Sequence, residues 1–180
     1  MTSLPTVLVL ASGRGARFAA SGGTGPKLQA NLAGKPVLRH TLDAVRASGL
    51  PFHLEDVGHV GMGDSIAAAV RATAGAAGWL VLPGDLPLVL PDTLRRIAGA
   101  ASSRALVPLY QGQCGHPVRF SADCGAALMN LSGEKGAAPV LSALKTMNLV
   151  NFLAVDDIGI VSDIDTLDDL ERARHLLNAR

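Results

Sequence analysis

Residues Val7-Leu8-Val9-Leu10, with the loop that follows them, constrain this chain more than any other stretch. Consecutive apolar, strand-forming residues leave no polar face. A strand built from them must be covered on both sides, as a parallel strand inside an α/β sheet is. The loop then runs Ala11-Ser12-Gly13-Arg14-Gly15-Ala16-Arg17 and on to Pro26-Lys27. Gly13 and Gly15 let the backbone bend and approach a ligand closely. Exposed N–H groups there can donate to phosphate oxygens, and Arg14, Arg17 and Lys27 add positive charge. The stretch lacks GxGxxG at the required place and lacks GxxxxGK[ST], so neither the dinucleotide nor the P-loop fingerprint applies. By itself it leaves two readings open: a nucleotide-phosphate loop, or a glycine-rich surface loop with three solvated cations.

The rest of the chain alternates strand and helix patterns. Apolar runs predict strands over 6–11, 79–83, 105–110 and 149–155. Helical periodicity with start and stop signals predicts helices over 36–48, 66–74, 91–101, 138–146 and 166–179, with Asp64 or Ser65 capping the second. Residues 12–26 read as loop, 28–32 as a short extended segment, 50–57 as holding a short strand, 117–120 as a returning strand, 123–131 as helix and 158–161 as extended. Such alternation implies α/β architecture: a mainly parallel sheet with helices on both faces and right-handed crossovers. The length of 180 residues, with 48% hydrophobic residues, suits one domain over residues 1–180 with its own core.

Composition also narrows the partners. A net charge of +1 gives no overall field favouring nucleic acid or acidic membranes, and 3% aromatic residues provide little surface for base stacking. Cys114 and Cys124 lack metal-ligand spacing and point to a reducing compartment. No apolar run is long enough for a membrane span, and the N-terminus lacks a signal-peptide pattern. The expectation is a soluble cytoplasmic protein with no nucleic-acid and no membrane partner.

Ligands of open parallel sheets bind beyond the C-terminal strand ends. That rule singles out the loop after Ala11, Asp85 just past the 79–83 strand, and Asp163-Ile164-Asp165-Thr166. Asp85 can hold Mg2+ or serve as a turn aspartate. Asp163 and Asp165 share a face if extended, and Asp165 or Thr166 can instead cap the last helix. The N–H groups opening the helix at Gly61-Met62-Gly63-Asp64-Ser65 can meet an anion or simply be capped. Gly115-His116-Pro117 sets a histidine in a constrained turn, and Gly133-Glu134-Lys135-Gly136 is a ligand loop or a solvated hairpin. His40, His53, His59 and His175 have no ligand spacing and read as structural or surface residues.

In order, these motifs resemble the MobA-like nucleotidyltransferases, and most closely the molybdenum cofactor cytidylyltransferase branch. Leu10-Ala11-Ser12-Gly13-Arg14-Gly15-Ala16-Arg17 with Pro26-Lys27 is similar to the family's Leu-Ala-Ala-Gly-x-(Gly/Ser)-x-Arg loop and its downstream lysine. Gly61-Met62-Gly63-Asp64-Ser65-Ile66 resembles Gly-Met-x-x-Ser-Leu. Leu82-Pro83-Gly84-Asp85-Leu86-Pro87 resembles the metal-aspartate turn. Gly115-His116-Pro117-Val118, Gly133-Glu134-Lys135-Gly136-Ala137 and Asp163-Ile164-Asp165-Thr166 follow in the family's order.

The resemblance implies a Rossmann-like nucleotidyltransferase fold and Mg2+-dependent transfer of CMP from CTP to the phosphate of a molybdopterin-type cofactor, with release of pyrophosphate. Its alternatives are GTP as donor, a different phosphate acceptor, or a non-catalytic cofactor- or nucleotide-binding protein that delivers to a molybdoenzyme. By position, Lys27, Arg17 and Asp85 would be catalytic. Leu10, Ala11, Ser12, Gly13, Arg14, Gly15, Lys27 and Ser65 would bind the nucleotide. Asp85 and Asp165 would hold Mg2+, and His116, Pro117 and Lys135 would bind the acceptor. The chain departs from the family's pattern mainly between residues 49 and 61, where too few residues stand for a full βαβ unit. The sheet is expected to be shortened there.

Overall fold

The computed structural model describes residues 4–13, 15–101 and 103–179. The chain runs through β1 (Thr6–Leu10), α1 (Ala16–Ala20), β2 (Asn31–Leu32), β3 (Lys35–Pro36), α2 (Val37–Ser48), β4 (Phe52–Glu55) and α3 (Met62–Ala72). It continues through β5 (Gly78–Pro83), α4 (Pro91–Gly99), β6 (Ala105–Tyr110), β7 (Gln113–Cys114) and β8 (Val118–Ser121). It ends with α5 (Gly125–Met129), α6 (Ala138–Thr146), β9 (Val150–Ala154) and α7 (Leu167–Asn178).

All of β1 is buried. It lies between β4 and β5, parallel to both. The 7-stranded sheet follows the order β4-β1-β5-β8-β6, with β7 and β9 also on β6. Ala105 pairs with Phe120 and Val150, and Leu109 pairs with Cys114 and Ala154. So β7 and β8 share one edge of β6, and β9 holds the other. Strands β4, β1, β5, β6 and β9 run one way, with β7 and β8 against them. Strands β2 and β3 form a separate small hairpin.

Alternation along β1 sorts its side chains between two layers. Leu8 and Leu10 join Ile66 and Val70 of α3, Leu128 of α5 and Leu144 of α6 on one face. Val7 and Val9 join Leu42 and Val45 of α2 and Leu94 and Ile97 of α4 on the other. A third cluster links Phe18 of α1, Val37 of α2, and Leu170 and Ala173 of α7 around Leu88 and Ile164. Among the described residues no helix is long and apolar enough to cross a membrane.

Several local expectations are corrected. Residues 16–20, expected as loop, form α1 because Phe18 finds a buried seat. Lys27–Gln29 is a 3-10 turn, so the extended segment is only β2. Helix α3 starts at Met62 rather than Ile66, with Gly61 at its N-cap. Asp64 does not cap it; its carboxylate accepts the N–H of Gly133 at 2.9 Å. Ile158–Val161 is a 3-10 turn, not a strand. The Asp157 side chain accepts the N–H groups of both Gly159 and Leu90 at 2.9 Å, which curls the backbone. The short 49–61 stretch contributes only β4 at the sheet edge before the chain enters α3.

Candidate active site

The C-terminal ends of β1 and β5 open onto a cavity of about 630 Å³. The turn before β8 reaches the same edge because β8 runs antiparallel to β5. Leu10, Ser12, Gly13, Gly15, Arg17, Lys27, Asp85, His116 and Asp165 all line it.

Its charged centre is built by three segments. Lys27 stands on the 3-10 turn after Pro26, and the glycine loop packs on it. Gly15 has a φ of +62, and a Cβ there would lie 3.0 Å from the Lys27 Cβ, so a larger residue would be both strained and crowded. Asp85 follows β5, and its carbonyl accepts the Ile164 N–H at 3.0 Å, tying the two acidic segments together. Asp165 precedes α7, where Thr166 and Asp169 form a reciprocal capping box. The Asp165 N–H also donates to Asp169. Capping and the carboxylate of Asp165 therefore coexist on adjacent residues.

The Lys27 ammonium lies 2.7 Å from Asp85 Oδ2 and 2.9 Å from Asp165 Oδ1. Arg17 Nη1 lies 2.5 Å from Asp165 Oδ2, with its side chain 79% exposed. Burial works against the charge on Lys27, but the two carboxylates outweigh it and hold its pKa above the ordinary lysine value. The other Asp85 oxygen, Oδ1, is buried without a hydrogen-bond partner among the described residues, a costly arrangement for an isolated carboxylate and a ready one for a cation. Burial pushes the Asp163 carboxyl up, and the nearby Asp85, Asp165 and Asp169 push it further.

The turn before β8 sets His116 against this centre. Its N–H donates to the Ile160 carbonyl at 2.9 Å, and the His116–Pro117 peptide is cis. Burial pushes the imidazole pKa down, against the pull of the Val81 carbonyl, Asp85 and Asp163. Its Nδ1 is buried without a partner among the described residues. A neutral ring therefore stands beside the acidic centre.

Other residues singled out in the sequence lie elsewhere. Ser65 is buried at 1% exposure beneath the loop, with its hydroxyl 2.5 Å from that of Ser12; it props the loop rather than facing the cavity. The Gly63 N–H is taken by the Gly133 carbonyl at 2.8 Å and is not offered to an anion. Ala11 and Pro117 are outside the cavity wall, and the Ala11 N–H is spent on the Glu55 carbonyl at 2.8 Å. Lys135 is exposed outside the wall, where its neighbour Glu134 lines the cavity instead. Arg14 falls outside the described residues.

One group escaped the sequence reading. Glu55, at the end of β4, is 6% exposed. It accepts from His59 Nε2 at 3.0 Å and His53 Nε2 at 3.3 Å. Burial pushes its carboxyl up, but the two imidazole donors prevail and hold it below the ordinary glutamate value. His59 lines the cavity beside Val60 and Met62. The available signal was spacing: residues 53 and 55 share a strand face.

Residues 7–147 match the MobA-like NTP transferase domain. The chain belongs to that family. This MobA-like chain is 31% identical over 111 residues to the bifunctional protein GlmU of Desulfitobacterium hafniense, covering 50% of its own length and 24% of GlmU. It is 28% identical over 120 residues to the purine catabolism protein PucB of Bacillus subtilis, covering 66% of itself and 58% of PucB. It thus spans less than two thirds of these relatives. Among solved structures, a nucleotidyl transferase from Methanothermobacter thermautotroptrophicus superposes with a TM-score of 0.79 at 25% identity, over 98% of this chain and 99% of that one. Rv0371c from Mycobacterium tuberculosis gives 0.77 at 28% identity, over 97% and 99%. A manganese complex of Rv0371c gives 0.72 at 27% identity, over 96% and 99%.

Nucleotidyltransferases of this family typically act with divalent metals. The donors here suit a hard divalent cation: two carboxylates at the cavity centre, one with an unpartnered buried oxygen. Among the described residues no group of three or more His, Cys, Asp or Glu is placed to hold a metal. That arrangement fits a cation which completes its shell with water and substrate phosphates rather than one held in an all-protein cage.

Proposed function

We propose that residues 1–180 act in the cytosol as one Mg2+-dependent nucleotidyltransferase domain that moves CMP from CTP to the phosphate of a molybdopterin-type cofactor. The observation that carries the reading is the Lys27 ammonium set between Asp85 and Asp165 at the C-terminal edge of a parallel sheet. Cytidine as base and molybdopterin as acceptor rest on the motif resemblance, above all on Gly115-His116-Pro117-Val118 and Asp163-Ile164-Asp165-Thr166.

In this reading a terminal phosphate oxygen of the acceptor attacks the α-phosphorus of CTP. The bond to the bridging oxygen breaks, and pyrophosphate leaves. No protein nucleophile is required, so catalysis is positioning and charge stabilisation. The loop from Leu10 to Gly15 cradles the nucleotide. Lys27 exchanges a carboxylate for phosphate oxygens when the triphosphate arrives, and Arg17 swings from Asp165 to the same charge. Asp85 and Asp165 would hold Mg2+, which when bound neutralises phosphate oxygens as a Lewis acid. His116, kept neutral by burial, and Glu134 border the side where the acceptor enters.

The test is release of pyrophosphate from CTP and from GTP by purified protein with Mg2+ and molybdopterin. Turnover with CTP is expected. Silence with both nucleotides, while another phosphate acceptor turns over, replaces the acceptor. That second reading is favoured by relatives as different in name as GlmU and PucB. Silence with every acceptor, with nucleotide binding intact, favours a carrier.

A further inference from the structure

The shortened stretch between the sheet edge and α3 carries a polar device that the proposed chemistry does not use. Glu55 is 6% exposed, and both its carboxylate oxygens are occupied by imidazole donors. An ionised carboxylate only accepts hydrogen bonds, so the His59 Nε2 facing it must carry the proton. In a neutral imidazole the other nitrogen is then a pure acceptor. His59 Nδ1 has no hydrogen-bond partner among the described residues and is not buried. The ring lines the cavity, with its side chain 22% exposed.

The residues that follow His59 into α3 are apolar and open. Val60 is 76% exposed and Met62 46% exposed, and both line the cavity beside it. Ser12 and Gly13 of the glycine loop line the same cavity. Exposed apolar side chains and one oriented acceptor lining the same cavity suit a flat heterocycle that offers a donor at its edge.

Resting on the nucleotide-site reading above, we infer that His59 selects the base and that Glu55 is its positioning residue. An acceptor at Nδ1 pairs with an exocyclic amino group, such as N4 of cytosine. Uracil presents a carbonyl oxygen at that place, and two lone pairs would face each other. A base that covers this acceptor without pairing it loses the bond to water and gains none, so discrimination of on the order of 10-fold or more is expected. His53 completes the device by holding the second Glu55 oxygen, which keeps the carboxylate from turning.

The experiment is titration calorimetry of CTP and UTP, each with Mg2+, on the wild-type protein and on His59→Ala, His59→Asn, Glu55→Gln and Lys27→Ala. Wild type binds CTP at least about 10-fold tighter than UTP. His59→Ala brings the ratio close to one by weakening CTP while leaving UTP unchanged. His59→Asn, whose side-chain carbonyl can accept, restores part of the preference. Glu55→Gln lets the ring take either tautomer and narrows the ratio, an effect that loss of stability alone would not produce. Lys27→Ala weakens both nucleotides and leaves the ratio standing. Equal binding of CTP and UTP by wild type, or an unchanged ratio in His59→Ala, overturns the inference while leaving the nucleotide site in place. Failure of wild type to bind either nucleotide overturns the nucleotide-site reading, and this inference with it.

Discussion

The cavity has two walls of opposite construction. Its centre is dense with charge and rigidly supported. Asp85 hangs from β5, which is flanked by β1 and β8. Asp165 is pinned by the α7 capping box, and Lys27 bridges the two. The wall formed by the end of β4 and the entry to α3 stands on an edge strand that, among the described residues, pairs only with β1. It carries one buried carboxylate, two imidazoles and the exposed Val57, Val60 and Met62. In the proposed reading the difference follows from what each wall has to meet. A triphosphate demands strong charge in fixed places. A heterocycle demands shape and one or two oriented hydrogen bonds, which a thin strap at a sheet edge can supply.

The largest effect is expected at the charged centre. Asp85→Asn keeps the shape of the side chain and removes its charge. Pyrophosphate release should fall by about 10²–10³-fold, the usual scale for losing one preorganised electrostatic group. Lys27 retains Asp165, so the melting temperature should move little. Equal losses of turnover and folding in that variant would show a structural centre and erase the contrast between the walls. Gly61→Ala attacks the other wall. A Cβ there would collide with the Gly133 backbone, whose carbonyl accepts the Gly63 N–H. Because the obstacle is backbone on both sides, the cost should be about 1–3 kcal/mol of stability by denaturant titration. A drop confined to stability, with turnover per folded molecule retained, would separate the walls cleanly. Thr166→Ala removes the side-chain half of the cap under Asp165. It should cost about 1 kcal/mol and raise KM for the nucleotide more than it lowers the melting temperature would suggest.

The same contrast governs what could be read before the structure. The runs at β1, β5 and β6 announce strands because burial leaves a nearly unbroken apolar signature, whereas β9 is a half-exposed strand whose run is interrupted by Asn151. Asp85 is legible because it sits just past such a strand, Asp165 because it stands in the Asp-Ile-Asp-Thr motif before the last helix, and Lys27 because a lysine follows the glycine loop. The periphery was not visible in this way. The start of α3 depends on the Gly133 carbonyl, and the curl at 158–161 on Asp157 bonding to Leu90; both partners are remote in sequence. Ser65 reads as a helix cap from its position and as a nucleotide ligand only through the motif resemblance, whereas its burial against Ser12 is a tertiary fact. Glu55 drew no reading of its own from the sequence, because only packing removes it from water and makes its two histidines matter.

Glu55 also yields the smallest and most diagnostic effect. Its folded pKa lies below the ordinary value of 4.5, because the His59 and His53 donors outweigh its burial. A carboxyl depressed on folding binds fewer protons in the native state than in the unfolded chain, so stability rises with pH across that window. Its contribution is therefore complete above pH 4.5 and is lost as pH falls through the lower folded value. Glu55→Gln should be less stable than wild type by up to about 1 kcal/mol above pH 4.5, and the gap should close as the solution becomes more acidic. Melting temperatures across the acid range measure it. A gap that stays constant with pH would mean that Glu55 contributes through packing alone. The carboxylate would then have no hold on the His59 tautomer, and the two walls would differ in charge but not in how they orient what they touch.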